Sequence, residues 1–169
     1  MDILECVSNF FYLLPLETER LFIRKTIVDD VDLLLKIDKQ EVTQKFLGGI
    51  KNKTKEERVL FLEKKTNSLT VCLKDSTPIG FIDFAIDDSS FLLSYIFDYD
   101  YCNKGYCTEA CKKIIDVCFN ELCFDSVQAD TVEGNASSKR VLEKLGFKFQ
   151  RFYTKNYVRF LKYIIYNKK

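Results

Sequence analysis

Two short stretches concentrate the residues that could do chemistry. The first runs Tyr95-Ile96-Phe97-Asp98-Tyr99-Asp100-Tyr101-Cys102-Asn103-Lys104-Gly105-Tyr106-Cys107-Thr108-Glu109-Ala110. It has the pattern of a strand, a tight loop with one glycine, and a helix start. The first N–H groups of a helix have no partner within it, and together with the helix dipole they form an anion site. Gly105 would let a phosphate approach the backbone, and Lys104 would add positive charge. A plain strand-to-helix turn would use the same glycine, and the stretch has neither a Walker loop nor the three glycines of a dinucleotide fingerprint. The second stretch runs from Thr131 to Phe147. Asn135 follows a strand and can cap the next helix. Lys139 and Arg140 then fall in the first helical turn, where the dipole disfavours cations. A phosphate partner would offset that cost, and simple solvent exposure would also accommodate both side chains.

Composition narrows the chemistry further. The 169 residues contain no His, which removes Ser-His-Asp and Cys-His mechanisms and every His-ligated metal site. The seven Cys are an odd number without framework-like spacing and read as small buried thiols of a reducing cytoplasm. Cys102, Cys107, Cys111, Cys118 and Cys123 come near a ferredoxin-like spacing without matching it, and Cys111 and Cys118 also fit an apolar helix face. No bound metal is expected. Cys107, at a helix start, is a candidate for a thiol of lowered pKa. No apolar run approaches the ~18–20 residues of a membrane span, and no Lys or Arg precedes Arg20, so neither membrane insertion nor export is expected and the location predicted is cytoplasmic.

The formal net charge of +1 gives no global pull toward nucleic acid, but charge is unevenly spread. Residues 75–134 carry 3 basic and 12 acidic side chains, and residues 135–169 carry 10 basic and 1 acidic. Mutual attraction within one fold explains this, and so does a site with an anion end and a cation end. The acidic block would suit a cationic molecule entering opposite the phosphate end.

The elements that must position these residues form a mixed α/β order. Asp2 to Leu14 has helical apolar spacing and ends before Pro15. Glu19 to Thr26 alternates as a strand. Asp29 or Asp30 can cap a helix carrying Val31, Leu34 and Leu35. Thr54-Lys55-Glu56-Glu57 is a capping box opening a helix predicted to reach Asn67. Strands follow at Ser68–Lys74, Pro78–Ile86 and Phe91–Asp98. A helix begins near Thr108, with Ala110, Cys111, Ile114, Ile115, Cys118, Phe119 and Leu122 on one face. Ser126–Val132 is a fifth strand. Another helix carries Val141, Leu142 and Leu145 and stops at Gly146. A hairpin, Phe147–Thr154 with Val158–Tyr166, closes the chain.

Taken together, Glu17-Thr18-Glu19-Arg20-Leu21-Phe22-Ile23-Arg24, the pair Ile79-Gly80, Lys104-Gly105-Tyr106-Cys107-Thr108-Glu109-Ala110, and Asn135-Ala136-Ser137-Ser138 with Glu143-Lys144-Leu145-Gly146-Phe147 resemble, in order, the motifs of GNAT N-acetyltransferases. More narrowly, they resemble the Rim-type branch that acetylates ribosomal-protein N-termini. The resemblance covers residues 15 to 166. It implies an α/β (α+β) fold with a mixed, mostly antiparallel sheet in which parallel strands four and five, Phe91–Asp98 and Ser126–Val132, splay apart to admit acetyl-CoA. On this reading residues 15–169 are one acetyltransferase domain and residues 1–14 a helical extension that covers the core, gates the acceptor side or pairs two subunits.

The resemblance also assigns residues. Backbone groups of Ile96, Phe97 and Asp98 would pair with the pantetheine arm, as an added strand does. The pyrophosphate loop would be Cys102 to Cys107, with Asn103, Lys104, Gly105, Tyr106, Cys107 and Thr108 contacting the cofactor. Cys102 stands where the family commonly has Arg or Gln, and Asn103 where it has Gly. Asn tolerates a left-handed backbone, so Asn103 can keep that conformation. Asn135 would bind the pantetheine region and Ser138 would protonate the departing sulfur; Arg140 completes the cofactor set. An N–H of Ile96 or Phe97 would meet the oxyanion. Glu133, Asp83 and Tyr95 are the candidate bases, with none selected.

The predicted activity is acetyl transfer from acetyl-CoA directly to a primary amine in a ternary complex. The acceptor is a protein N-terminus, a polyamine or a small-molecule amine. The expected assembly is a monomer or homodimer that engages neither nucleic acid nor membrane. A competing reading is a non-catalytic module using residues 135–169, where Tyr153, Tyr157, Phe160 and Tyr163 alternate with basic residues, to stack nucleic-acid bases.

Overall fold

The computed structural model describes residues 3–87 and 90–168, with side chains from Glu5 onward. Asp2, which opens the first predicted helix, lies outside the described residues. The chain runs through helix α1 (Ile3–Tyr12), strands β1 (Leu16–Glu17) and β2 (Leu21–Lys25), helices α2 (Val31–Asp38), α3 (Glu41–Gln44) and α4 (Lys55–Glu63), strands β3 (Ser68–Leu73), β4 (Pro78–Asp87) and β5 (Ser90–Phe97), helix α5 (Tyr106–Asn120), strand β6 (Ser126–Val132), helix α6 (Ala136–Lys144), and the hairpin β7 (Lys148–Lys155) and β8 (Val158–Tyr166). Every element predicted from periodicity is present, and β1 and α3 are additions too short to carry a period.

Local chemistry accounts for most boundaries. The Thr54 hydroxyl accepts the Glu57 N–H, and the Glu57 carboxylate accepts the Thr54 N–H, so the capping box forms as read. Its helix stops at Glu63, short of Asn67, because Ser68 already belongs to the sheet. Asp30 precedes α2 without capping it. Its carboxylate turns inward to a fork-to-fork pair with Arg24 and also accepts from Ile27 N–H and the Thr70 hydroxyl, stronger partners than a cap would supply. Gly146, at φ +88°, ends α6 with the Phe147 N–H on the Leu142 carbonyl and its own N–H on that of Glu143.

The strands form one eight-stranded sheet in the order β1-β2-β3-β4-β5-β6-β8-β7, antiparallel throughout except for β5 beside β6. Alternation along β4, β5 and β6 puts Phe84, Leu93, Val127 and Ala129 on one face. There they pack with α1 and α5 in the main core, where Cys111 and Cys118 are fully buried, as their helix face predicts. Phe10 of α1 belongs to that core: it is 0% exposed, its ring 4.9 Å from Phe84. Phe81 and Ile96 face the other way, toward Leu33, Leu34 and Ile37 of α2.

The parallel pair is the weak seam. β5 pairs with β4 along eight residues and β6 with β8 along seven, but β5 and β6 share only Ser90↔Ser126, Phe91↔Val127 and Leu92↔Gln128. The Ser90 and Ser126 hydroxyls, 2.9 Å apart, and Gln128 Nε2 donating to Ser90 tie the base of the seam. Beyond it each strand follows its antiparallel neighbour, and the two diverge. The splayed architecture expected of strands four and five is therefore present, numbered here β5 and β6.

Candidate functional site

At the divergence, the end of β5, the start of α5 and the start of α6 surround a cleft of about 480 Å³. Ile96, Phe97, Asn103, Gly105, Tyr106, Cys107, Thr108, Asn135, Ser138 and Arg140 all line it. Lys104 and Asp98 do not.

The register decides which backbone groups β5 offers. The Asp98 N–H donates to the Ile79 carbonyl across β4. Since N–H and C=O alternate sides along a strand, Ile96 also turns its backbone toward β4, while Tyr95 and Phe97 turn theirs toward the gap. Of the three residues expected to meet the pantetheine arm, only Phe97 turns its backbone toward the gap; those of Ile96 and Asp98 are committed to the sheet. The Asp98 side chain is structural as well. Buried in place, it accepts from Lys36 Nζ and Gln40 Nε2, both at 2.6 Å, and from the Asp100 N–H. Burial alone would raise its pKa, but these donors outweigh that and hold it below the ordinary carboxylate value.

Past Asp98 the loop turns at Asn103, whose φ of +60° is the left-handed conformation that substitutes for a glycine, and at Gly105, φ +82°, which precedes the first turn of α5. Among the described residues no acceptor takes up the N–H groups of residues 103 to 108. They form a row of free donors at a helix start, as an anion requires. Lys104 is exposed, its ammonium 5.3 Å from the centre of the Tyr101 ring, and its carbonyl is held from behind. Arg20 Nη1 donates to it at 3.0 Å, while the rest of the guanidinium grips Glu109 in the first turn of α5, Nε to Oε2 at 2.6 Å. The Thr18 hydroxyl and the Arg20 N–H also donate to the Glu109 carboxylate. Partial burial would raise the Glu109 pKa, yet the hydrogen bonds from Thr18 and Arg20 keep it depressed. A carboxylate beside an anion site would repel an anion, and Arg20 neutralises it. Sequence reasoning matched Thr18, Arg20 and Glu109 to motifs without giving them a task; charged residues repeated in motifs otherwise made of turn and core residues were the available signal.

Opposite the loop, Asn135 Oδ1 accepts the Ser138 N–H at 3.1 Å and caps α6, as predicted. Ser138 Oγ lies 3.0 Å from the Tyr95 hydroxyl, which burial holds protonated by raising its pKa. Tyr95 is thus a hydrogen-bonding phenol of the cleft and a poor base. Of the other candidates, Glu133 pairs with Arg159 at the surface, 3.2 Å. Asp83 lies on the opposite face of the sheet, paired with Lys65, with its Oδ1 buried and without a partner among the described residues. Burial pushes the Cys107 thiol well up, overturning the expectation of a lowered pKa, because desolvation and the neighbouring Cys111 outweigh the helix start.

The charged residues lining the cleft are Lys45, Arg140 and Lys144, all basic. Arg140 makes no ion pair among the described residues, whereas Lys139 approaches Glu143 at 3.7 Å. The expected acidic mouth is not part of this cleft. Alternation sends Asp83 and Asp130 to the other face, where with Leu92, Ser94 and Gln128 they line a separate hollow of about 270 Å³ at the point where β5 and β6 part. Val42, Thr43, Lys45, Phe46 and Leu47, in and after α3, supply a cleft wall that no sequence period announced. In the C-terminal hairpin, Tyr153 stacks on Phe160 at 5.3 Å and Arg159 lies 4.1 Å over Phe152, while Tyr163 is buried and Tyr157 is fully exposed.

The sheet thus opens at its one parallel seam, where a free strand edge leads to the unpartnered N–H groups of a helix start among the described residues. The chain belongs to the GNAT acetyltransferase family: residues 20–148 match the acetyltransferase (GNAT) domain. It is an acyltransferase, in a family whose acetyl donor is acetyl-CoA. It is 27% identical over 146 residues to the protein named Uncharacterized N-acetyltransferase YnaD of Bacillus subtilis (strain 168), covering 82% of this chain and 85% of that one. The fold superposes on a GNAT-family acetyltransferase from Bacillus anthracis with a TM-score of 0.82 at 24% identity, covering 90% and 98% of the two chains. It also superposes on a spermidine N-acetyltransferase chimera from Vibrio cholerae with a TM-score of 0.73 at 15% identity, covering 87% and 95%. Among the described residues no helix is long and apolar enough to cross a membrane, and no group of three or more His, Cys, Asp or Glu could hold a metal ion.

Proposed function

We propose that the cleft binds acetyl-CoA and that the protein transfers the acetyl group directly to a primary amine in a ternary complex. The observation that carries this is the end of β5–β6 pairing at Leu92↔Gln128, which frees the Phe97 backbone edge beside the uncapped N–H row of residues 103–108. Acetyl-CoA supplies the activated acetyl group. Phe97 pairs with the pantetheine arm, and the N–H groups of Asn103, Gly105, Tyr106, Cys107 and Thr108 hold the diphosphate, with Lys104 adding charge nearby. Arg140 offers an unpaired cation to a further phosphate. Asn135 fixes the start of α6, and the Ser138 hydroxyl donates a proton to the departing sulfur.

The acceptor is a primary amine, and the motif pattern favours the α-amine of a protein N-terminus, as in the Rim-type branch. Deprotonating such an amine at pH 7 costs about 1 kcal/mol, against about 4–5 kcal/mol for a lysine-like amine, so a weak base or a water suffices in a protein without His. The amine reaches the reaction point from the hollow between Asp83 and Asp130, on the face opposite the cleft.

Calorimetric titration with CoA, then thiol release from acetyl-CoA across a panel of α-amines, polyamines and small amines, tests the proposal. Binding of CoA with faster turnover of at least one amine is the expected result. Absence of binding heat refutes the cleft assignment, and ping-pong kinetics refute direct transfer.

A further inference from the structure

We infer that Tyr95 is a positioning residue that turns the Ser138 hydroxyl hydrogen into the cleft; the inference rests on the role proposed above for Ser138. Tyr95 stands on β5 beyond the last residue paired with β6, and Ser138 stands in the first turn of α6, so their contact bridges the divergence. The phenol oxygen is 3.0 Å from Ser138 Oγ and 3.3 Å from the Ser138 carbonyl oxygen. Each hydroxyl has a single hydrogen, so the phenol hydrogen goes either to the Ser138 carbonyl or to Ser138 Oγ. In the first arrangement, Ser138 donates to Tyr95 and Tyr95 donates to the carbonyl, and the serine hydrogen is consumed. In the second, Tyr95 donates to Ser138 Oγ, and the serine hydrogen is free to point elsewhere.

Two observations favour the second arrangement. The Ser138 carbonyl sits where α6 supplies a helical N–H to it, whereas Oγ accepts from no other described group. The Oγ contact is the shorter of the two. In either arrangement burial holds the phenol protonated, so Tyr95 is a donor and not a proton sink.

The consequence for acetyl transfer follows from proton bookkeeping. As the C–S bond breaks with its electron pair on sulfur, the Ser138 hydrogen passes to sulfur. Ser138 regains a proton from the one that the acceptor nitrogen releases on forming its C–N bond, so amine and thioester become amide and thiol. Tyr95 keeps its own hydrogen throughout. Its donation stabilises the charge that builds on Oγ and fixes the direction in which the serine hydrogen leaves.

A double-mutant cycle of Tyr95→Phe and Ser138→Ala tests this, with an alanine tripeptide and spermidine as amine probes and CoA titration and thermal melting as controls. Ser138→Ala is expected to lower kcat about 100-fold. Tyr95→Phe is expected to lower it about tenfold, with KM for acetyl-CoA, CoA affinity and Tm nearly unchanged, and the double variant to match Ser138→Ala alone. Ser138→Thr, which keeps a hydroxyl, should retain sensitivity to Tyr95→Phe. A Tyr95→Phe kcat within twofold of the parent, or effects that multiply in the double variant, overturns the inference while leaving Ser138 in its role. Tighter CoA binding by Tyr95→Phe also overturns it, since that identifies a latch across the gap. Full activity in Ser138→Ala overturns the role of Ser138 and this inference with it.

Discussion

Replacing Arg20 with Met should separate the stability of the loop from its capacity to bind. Met keeps an aliphatic stem but loses the Nε and Nη2 contacts to Glu109 and the Nη1 contact to the Lys104 carbonyl. Glu109 retains only the Thr18 hydroxyl and the Arg20 backbone N–H. The Arg20 side chain is 43% exposed and that of Glu109 20%, so the pair lies between a surface bridge, worth at most about 1 kcal/mol, and a buried one, worth about 3–5 kcal/mol when broken. A cost of about 1–2 kcal/mol follows, or roughly 2–8 °C in Tm for a chain of this size. Two further effects fall on the anion site. The Lys104 carbonyl is released, so the N–H groups around it lose their fixed direction, and an unneutralised carboxylate is left in the first turn of α5. The charge alone is worth about 0.3–1 kcal/mol at a helix terminus. Together they should weaken CoA binding about tenfold, or 1.4 kcal/mol. Calorimetric titration with CoA and scanning calorimetry read the two quantities on one sample. Adding Glu109→Gln to Arg20→Met should recover part of the affinity without recovering Tm. A lowered Tm with a CoA Kd within twofold of the parent would refute the claim that Arg20 shapes the loop for the diphosphate.

Three other outcomes are expected. Gly80→Ala puts a Cβ 2.7 Å from Phe97 Cδ1 and 2.9 Å from the Ile96 carbonyl, so β5 must shift; a loss of about 1–3 kcal/mol by denaturant titration, with weaker CoA binding, is predicted, and an unchanged midpoint would contradict it. Phe10→Ala removes a ring with no exposed surface that packs against both Phe84 and Phe91 and should cost about 3–5 kcal/mol; a loss below about 1 kcal/mol would show that α1 is dispensable to the core. Asp30, Asp98 and Glu109 all have folded pKa values below their ordinary 3.8, 3.8 and 4.5. Depressed carboxylates contribute stability that is complete above the unfolded value and lost as pH falls through the folded one. Tm should therefore be flat in this respect above about pH 5 and fall below about pH 4, and Lys36→Met should shrink the acid-sensitive part.

Features set by near neighbours in the chain were legible in the sequence. The Thr54 capping box, the Asn135 cap, the Gly146 stop, the apolar face of α5 and the left-handed turn at Asn103 each depend on residues within a few positions of one another. The same reach placed the loop and helix starts that build the cleft. Tertiary structure decided what those rules do not touch. Asp30 gave up its cap for Arg24 and Thr70, the latter forty residues away. Arg20 found Glu109 across eighty-nine residues, and Tyr95 found Ser138 across forty-three. Antiparallel pairing to β4 took the backbones of Ile96 and Asp98 and left that of Phe97 free, and strand alternation carried the acidic residues to the face away from the cleft. Caps, turns and helical periods arise from contacts along the chain, so their residues are sufficient to announce them. Which edge is free, which charge is neutralised and which hydroxyls meet depend on how distant segments register, and that is fixed only when the sheet is assembled.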